Sequence, residues 1–411
     1  MITEVSAKSY LMQITDLSQE QNITPFFRLG FRPFFTFGAA FSIVALLIWS
    51  LTLSGKINLN LYGGGTVWHA HEMIFGFVCA IIVGFLLTAV QTWTGQRAIN
   101  GKPLMMLVLL WLAGRFVMAF PDILGNATSA LIDIAFLPFA AICLALPIIK
   151  SGNKRNLFFV PLLLVFTLTN ALMHLAINGT STINVTSSTY IAVMLVTLLM
   201  SIMSGRVTPM FTANGTQTSK VSPLKWLEYT TNGSLMLIVA CYLVHPFFAV
   251  SDFILAVLFL ISGITQMFRW LRWKPWITLY VPLLWSLHSA LFFIWIGLLA
   301  LSLGHFVEAL PLNHIWHLLT VGGMGGLILA MISRVSLGHT GQKLQPAKIM
   351  SFAFVLIFFS AVLRVLGPWL MPEHYSFFIN FSVICWLGAY GIFTIIYGPM
   401  LLKPRQDGHP G

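Results

Sequence analysis

Twelve stretches of this chain are apolar for long enough to cross a lipid bilayer, and little lies between them. That pattern limits the fold more than any other feature. A helix of about twenty apolar residues, rising about 1.5 Å per residue, spans the roughly 30 Å hydrocarbon core. In lipid every backbone polar group needs an internal partner, so such stretches fold as helices. The approximate spans are 34–54, 68–90, 103–120, 127–149, 157–177, 188–205, 231–250, 252–271, 278–301, 311–333, 347–366 and 376–402. The expected fold class is all-α, a polytopic membrane bundle of 12 transmembrane helices. It forms a single domain over residues 34–402, with an N-terminal arm, 1–33, and a short tail, 403–411.

Composition agrees. Only 8% of the 411 residues are charged and 58% are hydrophobic, which excludes a soluble globular chain. The net charge of +11 does not point to nucleic acid, because Lys and Arg are spread singly over short loops. Membrane lipids are the expected neighbours of those charges. Cys79, Cys143, Cys241 and Cys385 all sit in apolar runs, with no metal or redox spacing, and read as small packing residues. No short apolar core with a cleavage site marks a removable signal peptide.

Loop charge sets the orientation. With the N-terminus in the cytoplasm, nineteen of the 22 Lys and Arg residues fall on the inner side and only Lys56 falls outside. Both termini are therefore expected to be cytoplasmic. Arg115 and Arg364 remain, within spans three and eleven. The segment Phe26 to Phe35, FFRLGFRPFF, interleaves phenylalanine with arginine. It reads as an interfacial arm at the inner headgroups or as an ordinary basic flank.

Histidines concentrate on the opposite side. With that orientation His69, His71, His314 and His317 open spans two and ten near the outer face, and His174 lies near the outer end of span five. His245, His305 and His374 fall in or beside outer loops, and His288 is nearer mid-membrane. Eight of eleven histidines thus gather on one side. Intramembrane ionisable residues are costly to place, which makes them functional candidates.

The two histidine-bearing spans share a layout. His71 to Thr94 and His317 to Thr340 are both 23 positions, roughly 35 Å on a helix. Neutral imidazole ligates haem iron and copper. The equal spacing makes His71 and His317 a candidate axial pair for one haem, leaving His69, His174, His288 and His314 for a second centre. Each of these histidines alone is equally well read as a hydrogen-bonded structural residue. His69 and His71 point roughly 200° apart on a helix, so one metal on one face cannot take both. His314 and His317 share a face.

Other polar residues carry paired readings. Glu72 could ligate metal, orient a histidine or carry protons, or simply be hydrogen-bonded between helices. Arg115 and Asp133 read as an ion pair, with a clamp on haem propionates as the alternative for Arg115. Arg364 lacks an acidic residue in its own span, which favours the propionate role there. Trp68, Trp93 and Trp316 at span ends read as aromatic belt residues. Gly322, Gly323, Gly325 and Gly326 suit close helix packing, and Met73 and Met324 could be soft ligands. No carboxylate is expected in the inner half of any span, so protons would come from outside, with little or no pumping. Thr94-Gly95-Gln96, Asn214-Gly215-Thr216-Gln217 and Thr340-Gly341-Gln342 follow spans two, six and ten, which suggests three four-helix units.

Several segments together resemble the NnrS family. They are RLGFRPFF from Arg28, WHAHEMIFGF from Trp68, GFLLTAVQTWTG from Gly84, WLAGR from Trp111 and SRVSLGHTG from Ser333. The resemblance implies a multi-pass protein of the bacterial inner membrane, containing haem and copper, that responds to or detoxifies nitric oxide. A looser likeness of layout links the chain to haem–copper oxidases and nitric oxide reductases, although span six here has no histidine. The first functional reading is a nitric oxide-handling protein, including reduction at an outer-side metal site. The electron donor, quinol or cytochrome, is not marked by any motif. The alternatives are a multi-span transporter of a metal ion or haem, and a non-catalytic haem-holding sensor.

Overall fold

A computed structural model describes residues 20–180, 183–307 and 310–409. The first nineteen residues of the expected N-terminal arm, with Lys8, lie outside the described residues, as do Glu308 and Ala309. Twelve helices are long and apolar enough to cross a membrane, and no strand occurs among the described residues. They are α1 Phe31–Leu53, α2 Gly65–Thr94, α3 Gly101–Ala119, α4 Asn126–Lys150, α5 Phe159–Ile177 and α6 Val185–Thr216. The second half comprises α7 Lys225–Val244, α8 Asp252–Arg272, α9 Pro282–Gly304, α10 Leu312–His339, α11 Lys348–Leu370 and α12 Tyr375–Leu401.

Three helices form the centre. The apolar windows of α2, α6 and α10 are 78, 67 and 72% buried, against 39–56% for the rest. They recur every fourth helix, and each is among the longest in the chain. The other nine surround them. In α2 and α10 the backbone widens into π-type turns, Glu72–Val78 and Leu318–Gly325, each directly after a histidine. Such turns free carbonyls from the helix ladder and mark functional sites often. In α2 the Gly76 carbonyl accepts a hydrogen bond from Trp111 Nε1 at 2.9 Å.

Several expectations change here. The helix α6 runs eleven residues beyond the apolar span, through Arg206, Pro209 and Gly215. The Asn214-Gly215-Thr216-Gln217 segment is its last turn rather than a following loop. Left-handed backbone falls on Gly95 and Gly341 after α2 and α10, but on Gln217 after α6. The helix α7 starts at Lys225, which brings Glu228 into its first turns. A carboxylate therefore does lie within the far half of a span. Glu228 Oε2 meets Arg269 Nη2 at 2.9 Å, and the Arg269 guanidinium also bonds Ser201 and Gln266. Trp68 and Trp316 are buried rather than belt residues, and Trp316 stacks on Tyr190. Trp93 stacks on Phe159.

The Phe26 to Phe35 segment is drawn into the bundle instead of lying on it. Phe31, Phe34, Phe35 and Arg32 are buried. Arg32 Nη1 donates to the carbonyls of Leu401 at 2.9 Å and Lys403 at 2.6 Å, so a cation satisfies the open end of α12. Hydrogen bonds from charged donors contribute about 1.5–3 kcal/mol. Arg32→Met should lose about that much stability, read as a lower unfolding midpoint in detergent. An unchanged midpoint would mean that solvent caps α12 equally well.

Candidate functional site

Two polar sites flank the widened part of α2. The first lies among α2, α3, α4 and α5. Glu72 Oε1 and Oε2 accept from Arg115 Nη1 at 2.6 and 2.7 Å, and Arg115 Nη2 pairs with Asp133 Oδ1. Asp133 Oδ2 faces His174 Nε2 at 3.0 Å, His71 Nε2 at 3.2 Å and Asn170 Nδ2 at 2.7 Å. His71 Nδ1 sits 2.9 Å from Glu72 Oε1. His71 therefore has a carboxylate at each ring nitrogen, an arrangement suited to imidazolium. Two carboxylates, one guanidinium and one imidazolium then balance. All of these side chains are buried, and the balance is what allows them to be.

The network ends at a tyrosine. His174 Nδ1 lies 3.0 Å from the Tyr62 hydroxyl, which also accepts from Asn178 Nδ2 at 3.1 Å. With His174 Nε2–H donating to Asp133, Nδ1 is left to accept from Tyr62. Burial raises the Tyr62 phenol above its ordinary value, which keeps it a neutral donor. One nitrogen each of His71 and His174 and one oxygen of Asp133 lie within 4.8 Å of one another, so this trio could also hold a metal ion.

The second site is a cavity of about 380 Å³ lined by α1, α2, α6, α10, α11 and α12. His69, His317 and Arg364 line it, with Met73, Met324 and Trp386 among its walls. His69 stacks on Trp49 at 4.1 Å between ring centres, and its Nδ1 is buried without a hydrogen-bond partner. His317 Nδ1 lies 3.0 Å from the Asn313 carbonyl, so that nitrogen carries the proton and Nε2 presents a lone pair. Arg364 Nη1 is buried without a partner, and no carboxylate reaches it among the described residues. His314, one turn before His317, also keeps a buried unpartnered Nδ1.

The structure thus regroups the candidate residues. His71 and His317 are not brought together: His71 is held in the charged network, and His69 is the α2 histidine that shares a cavity with His317. The reason is the 200° separation of neighbouring i, i+2 side chains on α2. His174 joins His71, not His288. His288 lies apart on α9, with Nε2 2.9 Å from Thr212 Oγ1. Glu72 does not line the cavity; it binds Arg115 and His71. Arg115 forms the expected ion pair with Asp133. Tyr62, Asn170 and Asn178 were not singled out by sequence. Asn170 and His174 on α5 and Asn178 at its C-cap do recur every four residues, which is the signal they leave.

A sequence model of the NnrS protein family matches residues 25–405, nearly the whole chain. The chain belongs to the NnrS family. No curated protein matches it. In this NnrS chain the WHAHEMIFGF segment supplies His69 to the cavity and His71 and Glu72 to the network, while WLAGR ends on Arg115.

Gly76 lies where these parts meet. A Cβ there would come within 2.7 Å of Arg115 Nη1 and of Phe41, and 2.9 Å of Glu72 Oε2. Gly76→Ala should destabilise the protein by about 1–3 kcal/mol by overpacking. A thermal unfolding curve matching that of the wild type would show that α2 can shift to make room.

Proposed function

We propose that this NnrS chain is a bacterial inner-membrane protein that binds haem and copper and reduces nitric oxide at the cavity between α2 and α10. The observation that carries the reading is the cavity itself. It combines apolar and aromatic walls, imidazole nitrogens without partners and a guanidinium without a counter-ion. That donor set fits a haem, whose ring seeks apolar cover, whose iron takes imidazole and whose propionates take arginine. His317 would ligate iron through Nε2, oriented by the Asn313 carbonyl, and Arg364 would hold a propionate. His69 and Met73, four apart on one face of α2, would serve copper.

When bound, such metals supply nitric oxide binding and electron transfer. The chain's own residues shape the rest. Trp49 fixes the His69 ring, and the α2–α5 network keeps charge beside the cavity without entering it. Proton supply from the histidine end accords with the gathering of polar groups there. Loop charge supports a periplasmic position for that end.

The test is direct. Protein extracted gently from cells supplied with iron and copper should show a haem absorption spectrum and contain both metals. It should consume nitric oxide when given a reductant. Colourless, metal-free protein would refute the proposal. A haem spectrum without turnover would leave a sensor.

A further inference from the structure

A second cavity lies on the other side of α10. It measures about 480 Å³ and is roofed by the α8–α9 connection, Pro275–Thr278. Its walls are aromatic, with Trp270, Trp276, Trp285, Phe293 and Phe358 among them. Trp276 and Leu279 at its edge, in the α8–α9 connection, are 58 and 72% exposed, so the cavity opens at the surface of the bundle. One imidazole lies in this wall. His288 is only 2% exposed, its Nε2 is taken by Thr212, and its Nδ1 has no partner. A buried ring nitrogen left unpaired costs about 1–3 kcal/mol.

The aromatic wall of this cavity reaches α10. Phe293 and Phe358 stack at 5.5 Å with their planes 5° apart. They press on glycines at and just after the widened α10 turn. A Cβ on Gly322 would meet Phe293 at 2.4 Å, and one on Gly326 would meet Phe358 at 2.4 Å. Val321 and Met324 of the same turn line the histidine cavity. The widened turn of α10 thus meets the walls of both spaces.

We propose that this second cavity binds the ring of a membrane quinone or quinol, with a ring oxygen hydrogen-bonded to His288 Nδ1 and the ring packed against the aromatic walls. An acyl chain would fill the apolar walls but leave His288 unpaired. A small polar solute would pair His288 but waste the aromatic faces. A flat ring with an oxygen at its edge and an apolar tail satisfies both, and the tail leaves toward lipid past Trp276 and Leu279. Binding stands on this geometry alone; use of the quinol as electron source rests on the nitric oxide reading above. The stoichiometry matches, since one quinol oxidised to quinone releases two electrons and two protons. Two nitric oxide molecules take up both to give nitrous oxide and water.

The experiment titrates a short-chain benzoquinone into the full chain in lipid nanodiscs and reads quenching of tryptophan fluorescence, with palmitate as the acyl control. His288→Ala and the exposed Trp276→Ala should each weaken quinone binding at least tenfold, with the unfolding midpoint of Trp276→Ala unchanged. His288→Gln, which keeps a hydrogen-bonding group, should recover part of it. Equal binding by wild type and both alanine variants, or palmitate competing as well as quinone, would overturn the proposal. Nitric oxide turnover separates the two readings. Quinone binding without turnover under quinol or chemical reductant would refute only the nitric oxide role. Turnover with chemical reductant and no quinone binding would refute only this site.

Discussion

Arg115→Met should destabilise the protein by about 3–5 kcal/mol, the cost of stranding buried charge when one partner of an ion pair is removed. Arg115 is shared by Glu72 and Asp133, both buried. Its loss leaves two carboxylates facing one imidazolium. The measurement is the unfolding midpoint in detergent, with the folded yield on gel filtration. Pairing Arg115→Met with Glu72→Gln removes one charge of each sign and should recover much of the loss. If the single and double variants unfold alike, the charges are not balancing one another and the metal-binding reading of His71, Asp133 and His174 gains ground. In that case chelation should lower the wild-type midpoint too.

The second large effect belongs to the cavity. His317→Ala should reduce haem content at least tenfold, a loss of about 1.4 kcal/mol or more in binding. Its fold should persist, because His317 makes a single hydrogen bond to a backbone carbonyl of its own helix. Arg364→Met should weaken retention less, shifting the spectrum little. His71→Ala should behave oppositely, lowering folded yield while the surviving protein keeps its haem band. Haem lost equally from His71→Ala and His317→Ala, at equal folded yield, would restore the pairing of those two residues and remove His69 from the centre.

The bundle was readable in advance because lipid leaves few choices. Runs of twenty apolar residues declare themselves, and the twelve helices follow the twelve runs. Ends were harder where charge is half-buried. Arg206 and Pro209 look like a loop, yet the Arg206 guanidinium lies over Phe159 and the helix continues. Glu228 precedes the apolar run at 231–250, yet Arg269 neutralises it inside the first turns of α7. The candidate histidines were visible as residues but not as groups. Spacing along α2 said that His69 and His71 face opposite ways. It could not say which way each faces, because that depends on which neighbours close around α2. Asn170 and Tyr62 escaped notice since neither is ionised near neutral pH, and their value lies in completing hydrogen bonds set by other helices.

The Arg32 contact bears on how the protein is made. A ribosome delivers Arg32 well before residues 401–403, so the guanidinium has to wait until α2 to α12 have been made before its acceptors exist. Until then α1 holds a charge that suits the headgroup layer better than the interior. The seam between α1 and α12 should therefore close late during biogenesis, and chains stalled before α12 emerges should remain open to membrane quality-control proteases.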